Sequence, residues 1–306
     1  MKFLYIVALL LLISPTLCFW STGHMIIARI AYEEIKVKDP AYFKQITKEI
    51  ELLKDFGQEG VNPFVESAVW ADDNKAIAWG AFSNWHFVDT PVIAEGFEGE
   101  YEVDKANATW AIYEMEKTLK NTKKPKFNNG LALSFAWRYL IHLVGDIHQP
   151  LHASALYSDA FPHGDRGGNS FKIKYPKDKQ IYNLHALWDA CVDQYGSIWA
   201  PINEGEWNQL GTFADKVTAE YPRNKVASRV KILDEREWAK ESNKIAKEAV
   251  YADIEPKTIP SDEYIERGRK VVNEQLAVAG YRLTDLMLKL RHYVGEENEV
   301  ESFISE

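Results

Sequence analysis

The sequence predicts a mainly α-helical fold with one short β-hairpin. Three observations carry that expectation. Residues 24–35, 107–119, 131–149 and 261–290 read as helices. Only one stretch, Ser170-Phe-Lys-Ile-Lys-Tyr175, alternates as a strand does. Nothing reads as a linker, a low-complexity tract or a tandem repeat, so residues 19–293 are expected to form one domain.

The elements follow in chain order. Met1-Lys2 supplies a positive start, residues 3–13 are an unbroken apolar run of 11, and Ser14-Pro15-Thr16-Leu17-Cys18 breaks it. This reads as a secretory signal peptide over residues 1–18. The run is too short to span a membrane, which takes about 20 apolar residues. A buried N-terminal helix is the alternative. Small Thr16 and Cys18 place the cut before Phe19, with Trp20 as the second choice. Bulky Leu17 speaks against a lipid-modified Cys18. In the first helix Ile26, Ile27, Ile30 and Ala31 share one side. Residues 131–149 form a long apolar helix that should cross the core, ended by Pro150. Residues 159–169, rich in Gly and Asp, read as a loop. The strand at 170–175 should stop at Pro176 and turn back to Ile181-Tyr182, making the hairpin. Residues 294–306 form an acidic tail with scattered apolar residues.

Removal of residues 1–18 leaves one cysteine, Cys191, and hence no internal disulfide. The remaining chain is long enough for a good core, to which a bound metal could add. No later stretch is apolar enough to span a membrane, so a secreted protein, or one in the lumen of the secretory or endolysosomal pathway, is expected. No membrane anchor and no stable protein partner is implied. Asn107-Ala-Thr109 is one glycosylation sequon. The net charge is -9, and -9 - 1 = -10 once Lys2 is gone. A conventional nucleic-acid binder carries a basic face, and this chain does not advertise one. If the substrate is a phosphate ester, its charge must be met by metal ions.

One pattern occurs twice. His142-Leu-Val-Gly-Asp146 runs into His148-Gln-Pro-Leu-His152, and His185-Ala-Leu-Trp-Asp189 follows later. Each sets a His and an Asp four residues apart, on one face of a helical turn. Such a pair can grip a divalent cation. Alone, it reads better as an ordinary i,i+4 salt bridge. His142 and Asp146, however, lie on an otherwise apolar helix, where unsatisfied polar groups are costly. Of the 8 histidines, His24 and His86 are further candidates, with Asp72 and Asp89 as carboxylates. Each has a bland alternative: a helix cap, a turn or a satisfied core position. His148 should point off the ligand face into the core. His163 should be solvated, and His292 carries no motif.

The ordered set resembles the secreted zinc-dependent single-strand-specific nucleases, also called class I nucleases or nuclease/3′-nucleotidases. The matching elements are Phe19-Trp-Ser-Thr-Gly-His24, Trp70-Ala-Asp72, Trp85-His-Phe-Val-Asp89, the run from His142 to His152, Gly167-Gly-Asn169 and Asn183-Leu-His-Ala-Leu-Trp-Asp189. Glu274-Gln-Leu-Ala-Val-Ala-Gly-Tyr-Arg-Leu283 also fits. The resemblance implies a single-domain α-helical tri-zinc phosphodiesterase fold with three Zn2+ ions in a cleft. One zinc would take Asp72, His86, His142 and Asp146. A second would take His152, His185 and Asp189. The third would take His24, Asp146 and the α-amino nitrogen and carbonyl oxygen of the mature first residue. The family usually has Trp there, but the spacing to His24 falls on Phe19, and backbone contacts allow Phe.

The resemblance further implies hydrolysis of the P–O3′ bond in single-stranded RNA and DNA and in 3′-nucleotides. Polymers would give 5′-phosphate products. Ions held close together acidify a water and clamp phosphate oxygens. Asp89 matches the carboxylate that orients the attacking water. Lys75 falls where the family often carries Arg beside the phosphate, and supplies charge without the bidentate fork. Phe87 matches a ring that stacks on a base, which would favour single strands. A packed core ring is its equal alternative. A zinc phospholipase C on the same scaffold is the main rival, and a catalytically silent zinc-binding protein a more distant one. The Trp70-Ala-Asp72, Gly167-Gly-Asn169 and Asn183-Leu-His185 contexts look more like the nucleases.

Overall fold

A computed structural model describes residues 19–77, 80–121 and 129–293. The expected signal peptide and acidic tail lie outside them. Helix α1 (Ser21–Lys38) buries Met25, Ile26, Ile27, Ile30, Ala31 and Ile35, and Lys36 and Lys38 favour its C-terminal end. Asp39 then accepts from the Tyr42 amide at 3.1 Å and caps α2 (Pro40–Glu51), with Pro40 pre-set for the first turn. Short α3 (Pro63–Glu66) and α4 (Trp70–Ile77) follow. In α5 (Ala108–Asn121) the cap is the sequon residue itself: Asn107 Oδ1 accepts from the amides of Thr109 and Trp110.

The central helix is α6 (Gly130–His148), buried on every side from Leu140 to its end. Gln149 and Pro150 stop it and start a 3₁₀ turn, Pro150–Ala153, in which Gln149 Oε1 accepts from the Leu151 amide. Helix α7 (Leu184–Asp189) is capped by Asn183. It is followed by α8 (Glu204–Glu220), α9 (Ala227–Val230), α10 (Glu235–Ile245) and the long α11 (Asp262–Leu290), which is capped by Ser261. Helix α6 packs against α2, α5, α10 and α11, while α11 lies along α1. The fold is mainly α, as the periodicity predicts. None of the described helices is long and apolar enough to cross a membrane.

The expected hairpin is corrected. Across residues 170–182 the pairing reduces to one antiparallel bridge, Lys172 with Asn183. The backbone there finds another partner: the Lys174 amide donates to Thr258 O and the Lys257 amide to Lys172 O. The two-stranded sheet lies elsewhere and is parallel. It pairs β1 (Thr90–Ile93) with β2 (Ser154–Tyr157), Thr90 opposite Ser154. The ladder continues toward the site, since the Val88 amide donates to His152 O at 2.8 Å.

Candidate metal centre

Six elements deliver side chains to one buried cluster. Helix α1 brings His24, α4 brings Asp72, and the 3₁₀ turn Ser83–His86 brings His86. Helix α6 supplies His142 and Asp146, the turn after it His152, and α7 both His185 and Asp189. Among the described residues they fall into three groups that could hold a metal ion: His24, His142 and Asp146; Asp72, His86 and His142; and, separately, His152, His185 and Asp189. The last is the expected second set. In the first two, His142 is common to both, and Asp146 lies between them.

Asp146 is the hub. Its Oδ2 lies 3.0 Å from His86 Nδ1 and 3.1 Å from His142 Nε2. Its Oδ1 lies 3.3 Å from His24 Nε2 and 3.7 Å from His152 Nδ1. In the outer pair His185 Nε2 is 3.1 Å from Asp189 Oδ2, and Gln149 donates to Asp189 Oδ1 at 2.7 Å. The His24 and His142 rings stack at 4.1 Å. That contact needs Gly145, because a Cβ there would stand 2.5 Å from His24 Nδ1.

Backbone carbonyls orient three of the rings. His142 Nδ1 faces Ala68 O at 2.6 Å, His152 Nδ1 faces His86 O at 2.7 Å, and His185 Nδ1 faces Gly167 O at 2.6 Å. A carbonyl only accepts, so each Nδ1 carries a proton and donates. In the neutral ring Nε2 then keeps a lone pair aimed at the cluster, the usual arrangement behind a metal-bound imidazole. Gly167 makes the last of these contacts possible. It sits at φ +60°, and a Cβ would meet Leu151 O at 2.5 Å.

The electrostatics suit a cation. Burial works against charge on Asp146, but His142 and His152 outweigh it and hold the carboxyl well below its usual range. Asp189 and Asp72 are held low in the same way, by His185 and by Lys75 respectively. Burial, then Lys75, pushes His86 down to about 4. Burial opposes charge on His152, yet Asp146 and Asp189 carry it up to about 9. A cation docking there displaces that proton. Both ring nitrogens of His24, Asp146 Oδ1 and His152 Nε2 are buried without a hydrogen bond. Such groups are costly unless something satisfies them.

The cluster opens on a cleft lined by Lys75, Phe87, Asp89 and Asn169, beside His86, His152 and His185. Lys75 Nζ lies 2.9 Å from Asp72 Oδ1. Asp89 takes a left-handed φ of +39°, and burial, then the Asp165 carboxylate, pushes it up to about 6. Phe19 is fully buried with its ring edge-on to His24, and the next amide, Trp20 N, donates to Asp189 O at 2.8 Å. His148 is a buried core residue between Val144 O and Arg282. His163 and His292 are exposed. Ser83 and Arg166 also line the cleft, and no motif had given them a role. The glycine pair after Arg166 was the one available signal, marking backbone held close to the site.

A helical scaffold here gathers histidine–carboxylate groups that could hold metal ions beside an open cleft. The S1/P1 nuclease family matches residues 19–291, and the chain belongs to it. It is 26% identical to Nuclease S1 of Aspergillus oryzae over 294 residues, covering 90% of this chain and 93% of that protein. Endonuclease 3 of Arabidopsis thaliana is likewise 26% identical, over 93% of each chain. Nuclease P1 of Penicillium citrinum is 24% identical over 177 residues, 56% of this chain and 57% of the other. Family membership supports a nuclease, a hydrolase whose substrate is nucleic acid.

Proposed function

We propose that this chain is a secreted zinc-dependent endonuclease and 3′-nucleotidase. It would cleave P–O3′ bonds of single-stranded RNA and DNA and of 3′-nucleotides, leaving 5′-phosphates on polymer products. The observation that carries the reading is the placement of Asp146 between two pairs of imidazoles, on a cleft that also holds Asp89. The donors are imidazole nitrogens and carboxylate oxygens, a set that suits zinc better than the all-oxygen shells of calcium or magnesium. The buried, unbonded nitrogens of His24 and His152 fit such an ion. Asp72, His86, His142 and Asp146 would hold one zinc, His152, His185 and Asp189 a second, and His24 with Asp146 and the Phe19 backbone the third.

Zinc bound there would acidify water and neutralise phosphate charge. The chain's own groups do the rest. Asp89, with its carboxyl raised to about 6, is suited to accept a proton near neutral pH. Lys75 adds charge on the α4 side of the cleft. Phe87 offers a half-buried ring to a base splayed out of its stack, which selects single strands.

The test uses mature protein on single-stranded DNA and RNA, a 3′-nucleotide and phosphatidylcholine, each with and without chelator. Nucleotide products that vanish with chelator are expected. Release of phosphocholine instead, or nucleolysis that resists chelation, overturns the reading. Secretion enters through the first residue, since a peptide nitrogen is a poor ligand and the Phe19 amine exists only after cleavage. A form shown to retain an N-terminal extension should bind less zinc, and full zinc content in it would remove Phe19 from the ligand set.

A further inference from the structure

Resting on the nuclease reading, we propose that Arg166 is a substrate-binding residue whose guanidinium takes a phosphate of the nucleic acid at the cleft mouth. Among the described residues, two cations other than histidine line this cleft, Lys75 and Arg166. Lys75 is drawn to Asp72 at 2.9 Å. Arg166 is exposed, and among the described residues its guanidinium makes no hydrogen bond or ion pair. An arginine that feels the Asp89 charge but is bound by no hydrogen bond or ion pair is a ready partner for an anion, and its planar fork matches phosphate oxygens in pairs.

The backbone holds this residue in place. Arg166 adopts φ +58° and is followed by Gly167 at +60° and Gly168 at +81°. A left-handed arginine is strained, and such strain gathers at binding sites. Its surroundings fix it from both sides. Buried Asp165 accepts from the Leu156 amide at 2.9 Å and from the Tyr251 hydroxyl. The carbonyl of Arg166 accepts from Asn169 Nδ2 at 2.9 Å. Gly167 O holds the His185 ring. The main chain is thus locked against the metal centre while the charged head stays open to solvent. A merely solvated surface arginine needs none of this.

The experiment compares the zinc-loaded mature enzyme with Arg166→Gln, Arg166→Lys and, as a control for lost charge, Arg236→Gln on the exposed face of α10. On a short single-stranded oligonucleotide, Arg166→Gln should raise KM about tenfold with a smaller change in kcat, the effect of one charge-assisted contact. Arg166→Lys should recover part of it, and Arg236→Gln should change nothing. Binding is read separately by fluorescence anisotropy of a nuclease-resistant phosphorothioate oligonucleotide across a salt series. Loss of one phosphate contact should flatten the slope of log affinity against log salt by about 0.7. A 3′-nucleotide gives the second arm. An equal rise in its KM puts the guanidinium on the phosphate being cleaved, and no rise puts it on a neighbouring phosphate; either supports the proposal. Unchanged KM and salt slope in a folded Arg166→Gln protein overturn it. A wild-type enzyme inactive on every nucleic acid would instead overturn the reading beneath it, so the two failures are distinct.

Discussion

On the proposed reading, Asp89 is a single residue whose setting suits it to chemistry. Its backbone is held at φ +39°, which a non-glycine residue adopts only when its surroundings impose it. Burial and the nearby Asp165 raise its carboxyl to about 6, so it can take a proton near neutral pH without being protonated throughout. Asp89→Asn is therefore expected to lower kcat by roughly 100- to 10,000-fold, the span of a lost general base. Zinc content should stay at the wild-type value, and the thermal midpoint should not fall, since the substitution removes a carboxyl that burial raises. Elemental analysis and a melting curve check this, and lost zinc would make Asp89 a ligand instead. The ligand candidates were legible in the sequence because histidine is scarce and because the i,i+4 spacing fixes two side chains on one helical face. Arg166 was not legible. Its part depends on a left-handed bend that leaves no trace in residue type beyond the two glycines after it.

At the scale of elements, the close crossing of α1 and α6 builds the hub, and Gly145 sets its distance. An alanine there gains roughly 1 kcal/mol of helix propensity. Its methyl would meet His24 Nδ1 at 2.5 Å, and overpacking of that kind costs about 1–3 kcal/mol. Gly145→Ala is expected to lose net stability and to release the ion nearest His24 first, read as a fractional zinc loss with the remaining metal retained. The α2–α6 contact carries a pH effect of its own. Glu49 is fully buried, accepts from Trp137 Nε1 at 2.6 Å and from Gln45 Nε2 at 2.9 Å, and burial raises its carboxyl to about 7. An acid whose folded value lies above its unfolded 4.5 binds more protons when folded, so stability falls as pH rises from about 4.5 through 7. The loss is on the order of 3 kcal/mol by pH 8. Glu49→Gln keeps an acceptor for Trp137 and should remove that decline, so its stability relative to wild type grows between pH 5 and 8 in denaturant titrations. The long helices were legible because their apolar faces repeat over several turns. The sheet was not, because β1 and β2 are four residues each and pair in parallel across more than 60 positions, beyond any local pattern. The alternation at 170–175 pointed to a hairpin, but its pairing with 182–184 stops after the bonds of Phe171 and Ile173, while Lys172 and Lys174 bond on the opposite edge to residues 257 and 258.

Across the whole molecule, on the proposed zinc reading, the metal centre and the apolar core would share the work of holding the chain together. The eight clustered side chains span residues 24 to 189 and come from four helices and two turns. Cys191, buried and free, closes no loop, so among the described residues no covalent link ties these elements. The apolar contacts of α1, α6 and α11 persist without a cation, and the helices should survive chelation. What changes is the balance at the hub, where ionised Asp146 and buried imidazoles would face one another without their common partner. An ion at a thousand times its dissociation constant adds about 4 kcal/mol to the folded state. In a chain of this size each kcal/mol moves the melting midpoint by about 2–4 °C. Stripping zinc is therefore expected to lower the midpoint by roughly 10 °C or more while the far-ultraviolet helical signal at 25 °C stays nearly unchanged. Amide exchange should quicken at the C-terminal end of α6 and in α7, where the ligands sit, and much less in α8 and α10, which carry none. A midpoint that does not move after complete metal removal would mean that the core alone fixes the cluster. The imidazoles would then be preorganised for the ion at the cost of stability rather than assembled by it.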